Sequence, residues 1–531
     1  MNTDIFTRFP ANDKQQQEDE LDQKNPAIRL YGRRFYKDQT PIEYLAELLL
    51  VFASAKKSSN DTDTLIEQGK FGFSLAIDDP CYYPEDRVAL KLFSFFPSSK
   101  LETRHPIHHE AYKKATHLLA EQILPDEDME QKEEAIRLLQ GLFNGFVGVA
   151  KNRTWVTHSF LPVSSAFLSR EVSWQHPKAL KDNSIKDWKD SKKYLADNFR
   201  NFMGRGGELL FLQLANLFTD INTPEITKML ALPAYAHIKN IDINQLQNVL
   251  ENSLKQMLTE NMASLGGLVT LIEDTLSEFS LNDLLKKSSL GWVPACTTPE
   301  ALLFATEMHN ICCAKLNALE KVYLLQTLCS MHVLRSLCFQ ARRIDEAESQ
   351  TEGFIGNYAW VTTDMEAGTD NPMRQMAEHS FVYIEALLYR ALRAPRLYNH
   401  QNVLNSRDLK NGDDNTYRHF RKLSKELGLV IPRKGKGQRF TLHQGLLRFL
   451  VAALLKPNER VRLPEFYRRL FAHYGLALTG KELLTALQWS GSEVGHHAYA
   501  VSSNTTWIEE ALQQGGFLIE LSDAVSMVHN P

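Results

Sequence analysis

The chain has 531 residues, of which 43% are hydrophobic and 23% charged, and its formal net charge is −4. This composition is ordinary for a soluble globular protein of several domains, and it excludes a disordered or fibrous chain. The slightly acidic balance also excludes a molecule that binds nucleic acid through its overall charge, so any basic surface must be local.

The N-terminal pattern, the apolar runs and the cysteines together predict a cytoplasmic protein that does not span a membrane. Residues 1–26 are polar and acidic, and they lack the basic-then-apolar order of a secretory signal. The apolar runs at 45–55 and 446–455 are shorter than the roughly 20 residues that cross a bilayer. The six cysteines have no regular spacing, which is typical of reduced thiols in the cytosol.

Shifts in composition and in hydrophobic periodicity predict a mainly α, multi-domain helical protein with a small α/β region near its N-terminus. We expect a flexible lead-in at 1–26, an α/β domain at 27–150, a basic aromatic connecting segment at 151–205, a helical bundle at 206–375, and two C-terminal modules at 376–445 and 446–531.

In the N-terminal region, the sequence TPIE at 40–43 predicts a helix start with a capping box. Residues 70–97 predict two short strands around an acidic turn that contains Asp78 and Asp79. Such acids, with Lys91 and the histidines at 105–109, are the residue types of a metal-dependent nuclease. The spacing from Glu85 to Lys91 does not match the usual Glu-x-Lys strand, so a nuclease is retained as an alternative.

The segment 151–205 is rich in Lys and Arg, with Trp155, Trp174 and Trp188 interspersed. Basic residues beside exposed aromatic rings are suited to phosphate and single-strand contacts. The alternative is an irregular connecting segment whose tryptophans anchor it to the core. The glycine-rich sequence at 204–207 is not a P-loop, because no Gly-Lys-Ser/Thr follows it.

The region from 206 onward is helical in pattern, and one set of side chains within it has ligand-like spacing. His309, Cys312, Cys313, Cys329 and His332 could supply zinc ligands from two facing helices. Because both helices are strongly apolar, these residues are predicted to be core residues, and we predict no metal site and no cofactor. The acids Asp364, Glu366 and Asp370 are interpreted as solvated loop residues.

The most specific pattern lies between residues 413 and 442. The sequence TYRHFRKLSKELG predicts a helix that is capped by Asp413 or Asp414 and ended by Gly428. Residues 429–431 and 439–442 predict two short strands, joined by the basic glycine-rich turn at 432–437. From 418 to 439 there are eight Lys and Arg residues against one acid, so this surface is predicted to meet anions.

With the preceding helix at 377–394, this helix-and-hairpin order resembles the winged-helix family over about 380–445. The resemblance implies that the helix enters the major groove and that the hairpin lies on the backbone or in the minor groove of duplex DNA. The DNA-binding residues that it implies are Arg418, Arg421, Lys422 and Lys425 on the helix and Arg433, Lys434, Lys436 and Arg439 on the hairpin. Contacts of this kind are mostly to phosphate, so low sequence specificity is expected.

Residues 446–531 are predicted to form a second winged-helix-like module. Helical segments are followed by two apolar runs, 517–522 and 525–528, that we expect to pair across Asp523 and Ala524. Because this hairpin is not basic, we expect the module to bind a protein partner or to pack on the first module.

No catalytic motif is found, so we expect a non-catalytic DNA-binding component of a multi-protein bacterial DNA transaction, such as antiviral defence. The bacterial setting and the defence role are expectations from the general character of the chain rather than from any spacing. The helical middle and the last module are the expected sites of protein partners. Alternatives are the metal-dependent nuclease in the N-terminal domain and a protein–protein interaction scaffold.

Overall fold

Helices dominate the computed structural model, which confirms the predicted mainly-α class. The described residues are 5–11, 25–32, 39–58, 71–75, 80–97, 105–148, 154–196, 205–219, 223–260, 262–281, 287–345, 353–398, 405–490, 505–521 and 525–531.

The helices follow one another along the whole of this described part, and short 3₁₀ turns lie between several of them. In chain order they are α1 Pro26–Tyr31, α2 Pro41–Ala53, α3 Val88–Phe95, α4 Pro106–Ile123, α5 Met129–Asn144, α6 His176–Ala179, α7 Trp188–Ser191, α8 Gly206–Thr219, α9 Pro224–Leu230, α10 Ile243–Thr259, α11 Ala263–Thr275, α12 Thr298–Cys313, α13 Ala318–Ile344, α14 Pro372–Ala391, α15 Ser406–Asp414, α16 Tyr417–Glu426, α17 Gln444–Leu454, α18 Leu463–Tyr474, α19 Gly480–Trp489 and α20 Thr506–Gln514.

The strands are short and form several small sheets. In chain order they are β1 Arg8–Phe9, β2 Ala55–Ser58, β3 Pro80–Tyr83, β4 Ser173–Trp174, β5 Leu195–Ala196, β6 Ser288–Ser289, β7 Val293–Pro294, β8 Trp360–Thr363, β9 Val430–Ile431, β10 Arg439–Thr441, β11 Arg460–Arg462, β12 Leu476–Ala477, β13 Leu518–Glu520 and β14 Ser526–His529.

The chain folds into two compact units. The smaller unit consists of 38–211 and 254–290, and the larger unit consists of 1–37, 212–253 and 291–531. The boundaries of the six predicted segments do not coincide with these limits, and the six-segment division stays a prediction. Strand β1 pairs with β7 in the larger unit, so part of the predicted flexible lead-in is an ordered strand.

In the smaller unit, the capping box predicted at 40–43 is present at the start of α2. The amide and hydroxyl of Thr40 both donate to the carboxylate of Glu43, at 2.8 and 2.7 Å. The prediction of two strands around a turn over 70–97 is wrong. Residues 71–75 form no strand, strand β3 lies at Pro80–Tyr83 where the turn was expected, and 88–95 form α3. Every residue of α3 is buried, and an apolar run that is buried all round has no periodicity to distinguish a helix from a strand.

The glycines at 206 and 207 allow the start of α8 to lie directly against α2. The amide of Gly207 donates to the Glu47 carboxylate at 2.7 Å, and the amide of Gly206 donates to Gln39 at 2.7 Å. A Cβ atom on Gly207 would lie 2.4 Å from the backbone oxygen of Tyr44, which leaves no room for a side chain. The glycines therefore serve close helix packing, consistent with the absence of a P-loop pattern.

We expect Gly207→Ala to destabilise the smaller unit by about 1–3 kcal/mol, because the clash is with backbone that cannot rotate away. Gly141→Ala is the matched control, since a Cβ atom there meets nothing within 4 Å. In α5 that change should stabilise by about 0.5–1 kcal/mol through helix propensity. Urea unfolding followed by tryptophan fluorescence measures both effects, and equal midpoints for the two variants would contradict this account.

In the larger unit, a four-stranded sheet has the strand order β12-β8-β10-β9. Strands β9 and β10 form the predicted antiparallel hairpin, with Phe440 opposite Val430. Strand β8 was not predicted, and it runs parallel to both β10 and β12. The Trp360 ring, fully buried at the start of β8, packs on Phe440 with ring centroids 5.7 Å apart and on Phe420 at 6.0 Å. The boundary predicted between 375 and 376 falls inside α14.

A second sheet of the larger unit has the order β11-β14-β13. The predicted pairing of the two terminal runs is observed, with Ile519 opposite Met527, whereas Asp523 and Ala524 lie outside the described residues. Strand β11 pairs antiparallel with β14, and Val461 lies opposite Val528. Helices α17 and α18 flank β11 in the chain, and α20 immediately precedes β13.

One helix within the described ranges, α13, is long and apolar enough by length and composition to cross a membrane. Its most apolar window is 78% buried inside the protein. Burial of this extent is typical of the core helix of a soluble protein, so α13 is weak support for a membrane span.

A network of charged side chains lies buried in the core of the larger unit. The Arg335 guanidinium donates to both carboxylate oxygens of Glu307, at 2.7 and 2.9 Å, and both side chains are fully buried. His473 Nδ1 lies 2.8 Å from the Glu307 carboxylate, and Arg335 also donates to the backbone oxygen of His473 at 3.1 Å. Helices α12, α13 and α18 are therefore joined by one ion pair and its hydrogen bonds.

The protonation states in this network follow from burial and from the fixed charge of Arg335. Burial disfavours the ionised carboxylate, but Arg335 and His473 outweigh it and hold the pKa of Glu307 below its ordinary value. Burial and then Arg335 lower the pKa of His332 well below its usual range, so this imidazole is neutral. Its Nδ1 accepts from the Arg335 guanidinium at 3.2 Å, as a neutral ring can.

Candidate nucleic-acid interface

Helix α16 packs one side on the core and presents cations on the other. Phe420 and Leu423 are buried, and Gly428 has a φ of +71°, the left-handed conformation predicted for the residue that ends this helix. The predicted cap is wrong, because α15 extends to Asp414 and the residue that precedes α16 is Thr416. The two aspartates instead form ion pairs: Asp413 with Arg393 at 2.8 Å and Asp414 with Arg418 at 2.6 Å.

The two arginines predicted on α16 are both paired with carboxylates. Arg421 donates to both oxygens of Glu385 on α14, at 2.5 and 2.7 Å, and Arg418 is held by Asp414. Among the lysines, Lys422 is exposed and Lys425 is half-buried. Burial and then the neighbouring Arg421 lower the pKa of Lys425. The helix surface therefore carries less net positive charge than its sequence suggests.

The turn between β9 and β10 carries three exposed cations of the predicted set. Arg433, Lys434 and Lys436 are exposed, and none of them forms an ion pair with any residue that the structure describes. Gly435 and Gly437 have φ values of +97° and +75°, a conformation that side chains other than glycine rarely adopt. The glycines thus allow a tight turn that projects three cations into solvent.

Arg439 was predicted to contact phosphate, but its side chain is buried. Only 6% of it is exposed, and its guanidinium donates to the backbone oxygen of Met365 at 2.9 Å. Burial and then the neighbouring Arg374 lower its pKa. Strand β10, which carries Arg439, is an inner strand of the sheet, and the arginine contacts the loop that follows β8 instead of facing solvent.

The tryptophans of the segment 151–205 face the core of the smaller unit. Trp155, Trp174 and Trp188 are all buried, and their rings surround His108, with centroids 5.4, 4.5 and 5.8 Å away. Trp155 donates to His108 Nδ1 at 3.3 Å, and burial lowers the pKa of His108 to about 3. These rings therefore anchor the segment, as in the alternative interpretation, and do not offer stacking faces to a single strand.

Of the residues considered for zinc, Cys313 Sγ lies 3.6 Å from His309 Nε2, but within the described ranges the set does not converge on one centre. Cys329 and His332 are fully buried, and the His332 ring stacks on Phe304 at 4.2 Å, whereas Cys313 is exposed. Across the described ranges, no group of three or more His, Cys, Asp or Glu side chains is placed to hold a metal ion.

The acids considered for a nuclease are only partly placed, because Asp78 and Asp79 lie outside the described residues. Lys91 is buried and donates to the backbone oxygens of Arg170 and Val156, at 2.9 and 3.4 Å. Burial lowers the pKa of Lys91 to about 8. This lysine is thus occupied by backbone carbonyls and is not poised over a substrate.

No family model, curated protein or solved structure matches the chain. Two carboxylates, Asp414 and Glu385, pair with arginines of the predicted site, and neither pairing was predicted from the sequence. The pairing of Asp414 with Arg418 has the i, i+4 spacing of a helical ion pair and was visible in the sequence. The pairing of Arg421 with Glu385 joins two separate helices, and no local pattern indicates it.

Proposed function

We propose that the protein is a non-catalytic DNA-binding component that contacts duplex DNA mainly through phosphates. The observation that carries the proposal is the turn at 432–437, where Arg433, Lys434 and Lys436 are exposed without counter-ions among the described residues. Cations in such a place gain free energy by replacing the counter-ions of a polyanion. Lys422 and Lys425 on α16 lie on the helix that leads into the same hairpin and add to the footprint.

The order of elements supports a winged-helix interpretation of this region. Helices α14, α15 and α16 are followed directly by the β9–β10 hairpin, the arrangement in which the last helix meets the major groove and the hairpin meets the backbone. Strand β8 departs from that pattern, since it precedes the first helix. The β11-β14-β13 sheet with α17, α18 and α20 supports a second such module.

The wider setting is also part of the proposal. We place the protein in the cytoplasm, as a member of a multi-protein bacterial DNA transaction such as antiviral defence. Its protein partners would bind the helical middle and the last module. A pull-down from a bacterial lysate with and without nuclease treatment distinguishes partners bound directly from those bound through DNA.

Titrating labelled duplexes of unrelated sequence across a salt series tests the proposed function. We expect similar affinities for all duplexes and a steep loss of affinity as the salt concentration rises. Absent or salt-insensitive binding would overturn the proposal. Mg²⁺-dependent cleavage of the duplex would instead support the nuclease alternative.

Glu385→Gln provides a sharper test of the helix surface. The change removes the carboxylate that holds Arg421. If Arg421 then reaches a phosphate, duplex affinity should rise several-fold and the salt slope should steepen by about 1. Glu278→Gln is the matched control, because it makes the same charge change at a pair with Lys114 in the smaller unit. Equal effects of both variants would show that only overall charge matters.

A further inference from the structure

An exposed tyrosine, Tyr389, and a half-buried one, Tyr417, lie side by side where α14 meets α16. The rings of Tyr389 and Tyr417 approach edge to face, with centroids 5.9 Å apart. Tyr389 is 44% exposed, although most large side chains of its helix face the core. Arg418 and Arg421 lie over the Tyr417 ring, each about 6 Å from its centre. This Tyr–Arg surface is formed by Tyr389, Tyr417, Arg393, Arg418 and Arg421.

The Tyr389 ring is held rigidly. The Arg393 guanidinium covers one face of the ring at 3.4 Å from its centre, and it donates to the backbone oxygen of Tyr389 at 3.1 Å. Arg393 is itself fixed by two hydrogen bonds to Asp413, at 2.8 and 2.9 Å. The ring remains 44% exposed although Arg393 covers one of its faces. Such a ring binds a flat partner with little loss of conformational entropy.

Each arginine of the Tyr–Arg surface is paired with a neighbouring carboxylate. Arg393 is paired with Asp413, Arg418 with Asp414 and Arg421 with Glu385. A surface of paired charges has little net attraction for phosphate, but the exposed ring of Tyr389 suits an uncharged planar ring. The neighbouring basic turn has the opposite character, because its three cations are exposed without carboxylate partners among the described residues.

We propose that Tyr389, flanked by Tyr417, forms a stacking platform for an unpaired nucleobase. This inference rests on the proposed function, and it names the DNA as a duplex that adjoins a single-stranded stretch. Tyr417 is the first residue of α16, the helix whose lysines and following turn carry the phosphate contacts, so base and backbone are bound on continuous elements. Stacking of bases on aromatic side chains tolerates any sequence, in keeping with low sequence specificity.

Comparing a blunt duplex with the same duplex extended by single-stranded thymines tests the platform. At one salt concentration, the extended DNA should bind about tenfold more tightly than the blunt DNA. Tyr389→Ala should remove most of that gain and leave blunt-duplex affinity unchanged, and Tyr389→Phe should retain the gain because the ring is kept. Tyr323→Ala is the matched control, since Tyr323 is exposed on α13. Thermal melting of each variant checks that the fold is intact.

The outcomes separate the two proposals. Binding of the blunt duplex with no gain from the extension overturns the platform and leaves the proposed function standing. Failure of both DNAs to bind overturns both proposals. Loss of the gain in Tyr389→Phe as well as in Tyr389→Ala also counts against stacking.

Discussion

Replacing Arg433, Lys434 and Lys436 together with alanine is expected to weaken binding to all duplexes alike. Each phosphate contact releases a condensed counter-ion, so the slope of log affinity against log salt should become shallower by about 3. The three side chains are exposed on one turn, and their removal leaves the buried side of the hairpin intact. Fluorescence anisotropy titrations at several salt concentrations measure the slope and the affinity together.

A control variant with the same loss of charge separates local contacts from overall electrostatics. Lys181, Lys186 and Lys189 are exposed in the smaller unit, and their triple alanine variant removes the same formal charge. That variant should keep most of the wild-type slope. An unchanged slope in the turn variant would show that the turn does not contact phosphate.

The largest effect on stability is expected at Glu307. Replacing it with glutamine leaves the Arg335 guanidinium buried without its charge partner, which typically costs about 3–5 kcal/mol. His473 and Arg335 lose hydrogen bonds to the same carboxylate, so α12, α13 and α18 are all affected. The midpoint of chemical unfolding, followed by circular dichroism, should fall sharply.

Two further variants make this stability prediction specific. Glu278→Gln breaks an exposed pair with Lys114 and should change stability by less than about 1 kcal/mol. Combining Glu307→Leu with Arg335→Met removes both buried charges, and buried pairs replaced in this way lose less than those deprived of one partner. If the double variant is less stable than Glu307→Gln, the unpaired buried charge is not the cause of the destabilisation.

Local features of the chain were predictable where neighbouring residues determine them. The capping box at 40–43, the positive φ of Gly428 and the β9–β10 hairpin all follow from a few adjacent residues. Strand β8 was not predictable, because its four residues pair with strands that lie far along the chain. Helix α3 was mistaken for a strand since its residues are buried on every side.

In the candidate interface, too, local features were predictable and tertiary contacts were not. The sequence shows that the region carries an excess of cations. Three of these cations are exposed on the turn. Which cations are neutralised depends on tertiary contacts, such as Arg421 with Glu385 on another helix. Arg439 is buried and donates to the backbone oxygen of Met365, in the loop that follows the unpredicted strand β8. The platform at Tyr389 is equally non-local, since Arg393 and Asp413 come from different elements.

The position of β8 determines which fragments of this region would keep the sheet intact. A fragment that begins at 376 loses the strand on which β10 pairs and uncovers Phe440, and a fragment that ends at 445 loses β12 from the far side of β8. The basic turn is therefore part of a larger sheet and not a separable module. The smallest fragment that keeps all four strands of the sheet begins before Trp360 and continues past Ala477.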